Sequence, residues 1–255
     1  MADMGGKVMI VAGGATGIGA ETARQLAESG AMVVVGDLAL ERAEQTAAEI
    51  RDTGGAAEAV GFDLGDEASI AALVAGTVEC HGRLDGLHLN GVDTSRESQI
   101  GDLDAVELDL DTWDRVLRIN LRGYLLGIRH AVPALLAGGG GAIVCTSSGV
   151  SLVGEATRVS YGVSKAGINA LVRHVASRWG KEGIRANAVA PGLVLSDLMR
   201  TPEYEPMRNA VLKMTRSPRL GETSDIASMV RFLLSDEAAW INGQVISVDG
   251  GATQR

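Results

Sequence analysis

The sequence predicts a single α/β domain built on a doubly wound parallel sheet with helices on both faces. Short β-branched runs alternate with longer amphipathic segments along most of the chain, which is typical of parallel strands joined by covering helices. The chain has 255 residues, a length at which one α/β domain is common. Hydrophobic residues make up 46% and aromatic residues only 3%, so we expect a large aliphatic core.

The individual elements are assigned from their local patterns. Compact aliphatic or β-branched runs predict strands at 8–11, 32–35, 57–62, 84–89, 142–146, 186–190 and 245–248. Longer segments with helical composition predict helices at 17–29, 40–50, 67–80, 111–137 and 160–180. Asp111 is the predicted N-cap of the longest helix, and glycines such as Gly30 end helices.

Two segments interrupt this alternation. Residues 95–109 are acidic and lack a period, so we expect a solvated connection there. Residues 196–219 carry several prolines and methionines; prolines limit regular structure, whereas flexible thioethers suit an adaptable apolar surface. This segment is predicted to be either a lid over a pocket or an ordinary surface excursion. With no repeat or linker evident, the domain is expected to span 1–255.

Charge and composition argue against several classes of protein. A net charge of −9 without a basic cluster disfavours a nucleic-acid partner. The chain shows no apolar run of membrane-spanning length and no signal-like start, so no membrane partner is expected. Cys80 and Cys145 lack disulfide or metal spacing, which indicates a reducing, cytoplasmic location. The four histidines lack ligand spacing, so no metal is expected.

A glycine-rich turn follows the first predicted strand. Gly13, Gly17 and Gly19 lead directly into a predicted helix, with Thr16 and Ile18 between them. Glycines allow close backbone approach, and free N–H groups at a helix N-terminus favour an anion such as a pyrophosphate. A purely structural strand-to-helix turn is the alternative. No Gly-Lys-Ser/Thr follows, which argues against a P-loop.

An acidic residue ends the second predicted strand. Asp37 follows Gly19 at close to the ~20-residue offset at which a carboxylate binds an adenosine ribose. Such a carboxylate accepts hydrogen bonds from the ribose hydroxyls of NAD and repels the 2′-phosphate of NADP, and no Lys or Arg precedes Arg24 in the turn. The sequence therefore predicts NAD(H) on a Rossmann-type sheet. A helix cap after Gly36 is the alternative for Asp37.

A tyrosine and a lysine share one face of a predicted helix. Tyr161 and Lys165 are at positions i and i+4. A phenol has a pKa near ~10, and a close ammonium favours its ionised form, as proton exchange near neutral pH requires. Ser148 follows a strand at the carboxyl edge of the sheet, where it could hold a substrate oxygen or simply form a turn. Asn120 lies among apolar residues, which indicates a backbone partner or a polar pocket.

These motifs together resemble those of the short-chain dehydrogenase/reductase family, along essentially the whole chain. The resemblance implies that Tyr161 is the general acid or base and that Ser148 orients the substrate oxygen. It also implies that Lys165 lowers the tyrosine pKa and holds the nicotinamide ribose, that Asn120 positions a water, and that Asp63 contacts adenine. The residues that it assigns to the cofactor are Gly13, Thr16, Gly17, Ile18, Gly19, Asp37, Leu38, Asp63, Leu64, Asn90, Gly91, Tyr161, Lys165, Pro191, Gly192, Val194 and Ser196.

Two positions depart from the family pattern. After the fourth predicted strand, Asn90 is kept but Gly91 and Val92 stand where the family usually has alanine and glycine. Val92 is therefore expected to crowd the cofactor ribose, or Gly91 to take over the role of the small residue. Ser196 replaces a usual threonine and preserves the hydroxyl.

The resemblance implies an NAD-dependent dehydrogenase or ketone reductase acting on a secondary carbinol. Val150, Leu152 and Val153 suggest an apolar substrate such as a steroid, a terpenoid or an aliphatic ketone. Two alternatives are a 3-oxoacyl reductase and a non-catalytic dinucleotide-sensing protein. The family resemblance also implies a homotetramer, with the predicted helices at 111–137 and 160–180 packing across an interface.

Overall fold

The computed structural model describes residues 3–254 and contains a central parallel sheet. The sheet has seven strands in the order β3-β2-β1-β4-β5-β6-β9, and every neighbouring pair is parallel. The predicted doubly wound sheet is confirmed. The strands, including a separate β7–β8 pair, are β1 (Val8–Ala12), β2 (Met32–Asp37), β3 (Ala56–Gly61), β4 (Gly86–Leu89), β5 (Gly141–Thr146), β6 (Ile184–Pro191), β7 (Val194–Leu195), β8 (Gly221–Glu222) and β9 (Val245–Val248).

Helices cover both faces of the sheet. Alternation along β2 shows why: Val34 belongs to one apolar cluster, while Val33 and Val35 belong to the cluster on the other face. One cluster includes residues of α3, α6 and α7, and the other residues of α1, α2 and α9. The helices are α1 (Gly17–Glu28), α2 (Leu40–Asp52), α3 (Glu67–His81), α4 (Arg96–Gly101), α5 (Leu110–Leu117), α6 (Gly123–Ala137), α7 (Val159–Trp179), α8 (Glu205–Met214) and α9 (Thr223–Leu234).

The strand order reverses beside β1. β2 and β3 extend the sheet to one side of β1, and β4 lies on the other side. The connections leaving the carboxyl ends of β1 and β4 therefore diverge and leave a crevice, the usual ligand position in an open parallel sheet. The Ala12 carbonyl oxygen accepts hydrogen bonds from the N–H groups of Asn90 and Gly91, both at 2.9 Å, which hold the two connections together.

The long helix predicted at 111–137 is divided. Its N-cap is Asp109, whose carboxylate accepts a hydrogen bond from the Thr112 N–H, and not Asp111 as predicted. A π-helical turn at Arg118–Arg122 separates α5 from α6 and contains Asn120. Such turns are rare and often occur at functional sites. The apolar periodicity continues through the turn, so the pattern alone gives a single helix.

The prediction of a solvated connection at 95–109 is confirmed for most of its residues, which are exposed, but the segment is more ordered than predicted. This segment contains α4, which Ser95 caps by accepting from the Ser98 N–H. It also contains Asp102, which is buried because it is bonded to the start of α7. Residues 196–219 contain α8, and α9 was absent from the predicted elements although Ile226, Val230 and Leu233 have helical spacing. No helix within residues 3–254 has the length and apolar character of a membrane span.

Candidate active site

The glycine-rich turn occupies the crevice beside β1. Gly13 has a φ of 89° and Gly17 a φ of 57°, which side chains disfavour. A Cβ on Gly13 would lie 2.5 Å from the Gly91 nitrogen, and a Cβ on Gly19 would lie 1.9 Å from the Gly13 carbonyl oxygen. Glycine is therefore required at these positions by the packing of the turn itself. At Gly17 a Cβ would meet nothing within 4 Å, so space is open in front of this residue.

The first turn of α1 has the features of an anion site. The Thr16 side chain at the N-cap makes no capping hydrogen bond, and no acidic residue of the described chain occupies this turn. The N–H groups at the start of a helix lack intrahelical partners and carry partial positive charge. In this position they can bind a phosphate group.

Asp37 lies beside this turn, at the end of β2. One carboxylate oxygen accepts a hydrogen bond from the Ala15 N–H and the other from the Ala39 N–H, both at 3.0 Å. Asp37 thus fixes the glycine-rich turn and the segment that leads into α2. It is not the helix cap of the structural alternative, because the N-cap of α2 is Ala39 and no side chain caps this helix. Each oxygen keeps a further acceptor site, because a carboxylate oxygen has two lone pairs. The same group can therefore accept from ligand hydroxyls.

Two adjoining clefts contain many of the predicted cofactor residues. The first has a volume of about 750 Å³ and is lined by Gly13, Thr16, Asp37, Leu38, Asp63, Leu64, Asn90 and Gly91, together with Val92. The second has a volume of about 820 Å³ and is lined by Thr16, Gly17 and Ser196 among others. Among the described residues, those predicted for the cofactor that line neither cleft are Ile18, Gly19, Tyr161, Lys165, Pro191, Gly192 and Val194.

The unusual residues after β4 have distinct positions. A Cβ on Gly91 would lie 3.1 Å from a Leu64 methyl group, and the Gly91 backbone is the close neighbour of Gly13. Gly91 thus provides the small residue at the point of closest packing. Val92 lines the first cleft and is 36% exposed, so its side chain narrows the space available there.

Tyr161 and Lys165 lie together on α7, as their spacing predicts. The Lys165 ammonium lies 5.6 Å from the centre of the Tyr161 ring and donates a hydrogen bond of 2.8 Å to the Thr146 carbonyl oxygen. Lys165 is only 2% exposed. The pKa of Lys165 is lowered to about 7, chiefly by burial, which Cys145 opposes and the positive charge of Arg158 reinforces. This lysine can therefore gain or release a proton near neutral pH.

The turn after β5 carries the candidate serine. Ser148 is the N-cap of a short 3-10 turn, and its hydroxyl accepts from the Val150 N–H at 3.4 Å. The preceding Ser147 is buried and donates to the Lys165 carbonyl oxygen at 3.1 Å. Ser147 thus joins this turn to α7, whereas Ser148 is partly accessible. The accessible hydroxyl belongs to Ser148, the residue to which the family resemblance assigns the substrate oxygen.

Asn120 has a backbone partner. It is 1% exposed, and its side-chain oxygen accepts a hydrogen bond of 2.7 Å from the Asp93 N–H. Burial alone would raise the pKa of Asp93, but hydrogen bonds from Arg115, Ser98 and Ser95 outweigh it and lower this pKa to about 2. Asn120 therefore joins the connection after β4 to the π turn, and the ionised Asp93 side chain joins it to Arg115 on α5.

The sequence interpretation missed two residues at the start of α7. Asp102 is 5% exposed; one carboxylate oxygen accepts from the Ser160 N–H at 2.9 Å and the Ser160 hydroxyl at 2.5 Å, and the other accepts from the Tyr161 N–H at 2.9 Å. Arg158, with a φ of 63°, places its guanidinium carbon 4.3 Å from the centre of the Tyr161 ring. The contacts of Asp102 depend on the packing of segments 58 and 59 residues apart, so nothing local indicates them. Arg158 and Tyr161 are only three residues apart, but their contact follows from the left-handed backbone at Arg158, which the sequence does not reveal.

His88 on β4 supports this arrangement through Thr146 and is not accessible to a ligand. His88 is fully buried, and burial lowers its pKa to about 3, so its ring is neutral. Its Nε2 lies 2.9 Å from the Thr146 hydroxyl, which in turn donates to the Asn90 side chain. Within residues 3–254, no cluster of three or more His, Cys, Asp or Glu side chains could hold a metal ion.

The parallel sheet with a glycine-rich turn at its switch point defines a Rossmann-type α/β protein. A family model described as "Enoyl-(Acyl carrier protein) reductase" matches residues 13–253. The chain belongs to the short-chain dehydrogenase/reductase family. The resemblance seen in the sequence is thereby confirmed.

Three relatives illustrate the range of this similarity. The chain is 40% identical to a cis-4-hydroxycyclohexanecarboxylate dehydrogenase of Sinomonas cyclohexanicum, over 97% of this chain and 96% of the relative. It is 36% identical to a D-threitol dehydrogenase of Mycolicibacterium smegmatis, over 97% and 93%. A solved 7α-hydroxysteroid dehydrogenase, complexed with NADH and 7-oxo glycochenodeoxycholic acid, superimposes with a TM-score of 0.90 at 31% identity, covering 99% of this chain and 96% of that chain.

Proposed function

We propose that the protein is an NAD(H)-dependent oxidoreductase that interconverts a secondary alcohol and a ketone. The observation that carries this proposal is the Tyr161–Lys165 pair, a phenol beside a buried ammonium on α7, at the edge of the sheet that also holds the glycine-rich turn. The three relatives support it, because each is named as a dehydrogenase of an alcohol. Retention of Ser148, Tyr161 and Lys165 argues against a purely dinucleotide-sensing protein.

The nucleotide-binding residues fit a dinucleotide. We assign the pyrophosphate to the first turn of α1, which includes Thr16, Gly17, Ile18 and Gly19. Asp37 is placed to accept hydrogen bonds from the adenosine ribose, which favours NAD(H) over NADP(H). Bound NAD would supply the hydride acceptor of the reaction. Further cofactor contacts are proposed for Leu38, Asp63, Leu64, Asn90, Gly91, Tyr161, Lys165, Pro191, Gly192, Val194 and Ser196.

The proposed catalytic residues have different roles in the reaction of the substrate oxygen. Tyr161 accepts the carbinol proton during oxidation and donates it during reduction, while the Ser148 hydroxyl orients the same oxygen. Lys165 favours the phenolate, because an ammonium at this distance is attracted to the negative charge that forms. Asn120 holds the connection after β4 through Asp93 and is proposed to position a water near Lys165.

The substrate proposed here has an apolar carbon skeleton. Val150, Leu152 and Val153 follow β5 and are all at least partly exposed. Rings occur in the substrate names of two relatives, the hydroxysteroid and the hydroxycyclohexanecarboxylate. The D-threitol relative acts on a polyol, so family membership alone does not select an apolar substrate. A 3-oxoacyl substrate on an acidic carrier protein is a weaker second candidate, because the net charge of −9 would repel such a carrier.

We also propose a single domain over 1–255, with 196–219 acting as a lid, and a cytoplasmic homotetramer. Leu125 on α6 is 47% exposed and Val163 on α7 is 42% exposed. Aliphatic residues exposed on these two helices support an interface between copies at this surface. Light scattering coupled to size exclusion would test the tetramer, and a monomer would contradict it.

The function is tested by NADH formation from NAD⁺ with a panel of secondary alcohols. We expect turnover by the wild type, and a loss on the order of 10³-fold or more in Tyr161→Phe, because the proton acceptor is removed. The NADH dissociation constant, measured separately by fluorescence, should change little in this variant. Full activity of Tyr161→Phe would contradict the mechanism, and a preference of the wild type for NADPH would contradict the role of Asp37.

A further inference from the structure

Arg158 presents a free cation at the start of α7. Its side chain is exposed. Within residues 3–254, no carboxylate lies within ion-pair distance of its guanidinium, in contrast to Arg115 and Arg219, which pair with Asp93 and Asp225. Although acidic residues outnumber basic ones in the chain, whose net charge is −9, no carboxylate of the described residues pairs with this arginine.

The position of this cation is defined by Tyr161. The guanidinium carbon lies 4.3 Å from the centre of the Tyr161 ring, and the Lys165 ammonium lies 5.6 Å from the same point. The two cations differ in what they can bind. Lys165 is buried and already donates to Thr146, whereas Arg158 is exposed. A guanidinium has five N–H donors in a planar fork that matches a carboxylate.

The backbone holds Arg158 in place. Among residues 3–254 it is the one non-glycine residue with a positive φ, at 63°. Its N–H donates to the Asp102 carbonyl oxygen at 2.9 Å, and the next N–H, of Val159, donates to the Leu103 carbonyl oxygen at 3.3 Å. Strained backbone of this kind persists where the surrounding structure enforces it, often at functional sites. Asp102 therefore fixes Arg158 and Tyr161 relative to each other.

We propose that Arg158 binds a carboxylate of the substrate, so that the substrate is a hydroxy acid or the corresponding oxo acid. This inference rests on the function proposed above and specifies its substrate class. The carbinol oxygen would meet the Tyr161 phenol while the carboxylate, a few bonds away, meets the guanidinium. The carboxylate is unchanged in the reaction: the carbinol carbon gives a hydride to NAD⁺, and its hydroxyl gives a proton to Tyr161. Apolar residues such as Val150 and Val153 would contact the skeleton between the two polar groups.

The test compares an acid with its neutral amide. The substrates are cis-4-hydroxycyclohexanecarboxylate and cis-4-hydroxycyclohexanecarboxamide, measured as kcat/KM with NAD⁺ for the wild type and Arg158→Asn. Asparagine tolerates the left-handed backbone at this position and removes the guanidinium together with most of the aliphatic stem. We expect the wild type to prefer the acid. In Arg158→Asn, kcat/KM for the acid should fall on the order of 10- to 100-fold, as for loss of a charged hydrogen bond, with little change for the amide.

Two further variants control this comparison. Arg158→Lys keeps the positive charge and should retain part of the preference for the acid. Arg173→Gln removes an exposed positive charge elsewhere on α7 and should change neither substrate. Equal losses for acid and amide in Arg158→Asn would overturn the proposal, because they would show that Arg158 only supports Tyr161. A wild type that prefers the amide would overturn it as well.

A binding measurement separates this inference from the proposed function. Cyclohexanecarboxylate, which has no hydroxyl to oxidise, is titrated calorimetrically into the enzyme–NADH complex of the wild type and Arg158→Asn. Binding that is lost in the variant supports carboxylate recognition even if neither alcohol is oxidised, a result that would count against the proposed reaction only. Equal binding, or none to the wild type, would overturn the role of Arg158 and leave the oxidoreductase proposal intact.

Discussion

The turn after β1 and the start of α7 both use left-handed backbone, but they obtain it differently. In the first, Gly13 and Gly17 have φ values of 89° and 57° and carry no side chain that would be strained. At the start of α7, Arg158 has a φ of 63° and is held there by Asp102, which lies on a different segment. At the nucleotide end, the glycine-rich turn with Asp37, the left-handed backbone is thus supplied by the glycines themselves. At the catalytic end, Tyr161 and Lys165 with Arg158, it depends on contacts with a segment distant in sequence.

The two ends also differ in how their ionisable groups are buried and paired. At the nucleotide end, Asp37 is only half-buried and retains acceptor capacity for a ligand. At the catalytic end, the carboxylate of Asp102 and the amine of Lys165 are both buried and bonded within the protein. Burying an ionisable group costs free energy unless it is well paired. We therefore expect substitutions at the two ends to differ in their effects on stability, NADH binding and turnover. The following variants test that expectation.

Gly19→Ala should have the largest effect on the nucleotide end. The new Cβ would lie 1.9 Å from the Gly13 carbonyl oxygen, so the backbone of the turn must move. We expect the free energy of unfolding to fall by roughly 2–3 kcal/mol and NADH binding to be lost. Denaturant unfolding and NADH fluorescence measure these effects. Gly76→Ala in α3, where a Cβ meets nothing within 4 Å, is the matched control; unchanged stability and binding in Gly19→Ala would contradict the packing argument.

Local residues explain what could be predicted from the sequence. The alternation of strand-like and helical runs is a local pattern, and it predicted the sheet. The spacing of Gly13, Gly17 and Gly19, the carboxylate at the end of β2, and the i, i+4 pair on α7 are short-range features as well, and they gave the candidate residues. Asp102 could not be found in this way, because its partner Ser160 is 58 residues away in sequence and burial, not composition, gives it its role. The acidic character of 95–109 correctly indicated a mostly exposed segment, but it gave no sign that Asp102 within it is buried.

Asp102→Asn tests whether the hydrogen bonds between Asp102 and the start of α7 position Tyr161. In the wild type one carboxylate oxygen of Asp102 accepts from Ser160 and the other from Tyr161. An amide has only one acceptor oxygen, so one of these two residues loses its acceptor in the variant. We expect kcat for a neutral secondary alcohol to fall ~10- to 100-fold and stability to fall by about 1–3 kcal/mol, since a buried donor is left unsatisfied. KM for the alcohol and the NADH dissociation constant should change little. A fall in kcat with little change in KM and in the NADH dissociation constant distinguishes a positioning role of Asp102 from general destabilisation, which would impair binding as well.

Asp104→Asn is the control for this variant. Asp104 lies in the same segment and also accepts two backbone N–H groups, at 2.8 and 3.0 Å, but it is exposed. It should therefore have nearly wild-type kcat. If Asp102→Asn retained full kcat, or if NADH binding fell in parallel with kcat, the hydrogen bonds to Asp102 would not be what positions Tyr161 for catalysis.

Lys165→Met should make the protein inactive but more stable at neutral pH. The pKa of Lys165 is lowered from 10.5 to about 7 in the folded state, by burial. Between these values the unfolded chain binds more protons, so wild-type stability from this group rises with pH over that range. We expect the methionine variant to be more stable at pH 7 by about 1–2 kcal/mol, with the advantage shrinking towards pH 10. A pH-independent difference, or a less stable variant at pH 7, would contradict the buried amine as the cause.

Gly17→Ala should have the smallest effect, and it sharpens the contrast with Arg158. Its φ of 57° disfavours a side chain, but a Cβ there would meet nothing within 4 Å. The cost is therefore conformational alone, about 1 kcal/mol, compared with the steric cost at Gly19. Thermal unfolding measures it, with Gly154→Ala as the control because that exposed glycine has open space and no positive φ. A loss of stability as large as that of Gly19→Ala would show that a side chain at position 17 has a steric cost as well as a conformational one. The left-handed backbone of Gly17 would then not be set by the glycine alone, and the distinction between the two ends would fail.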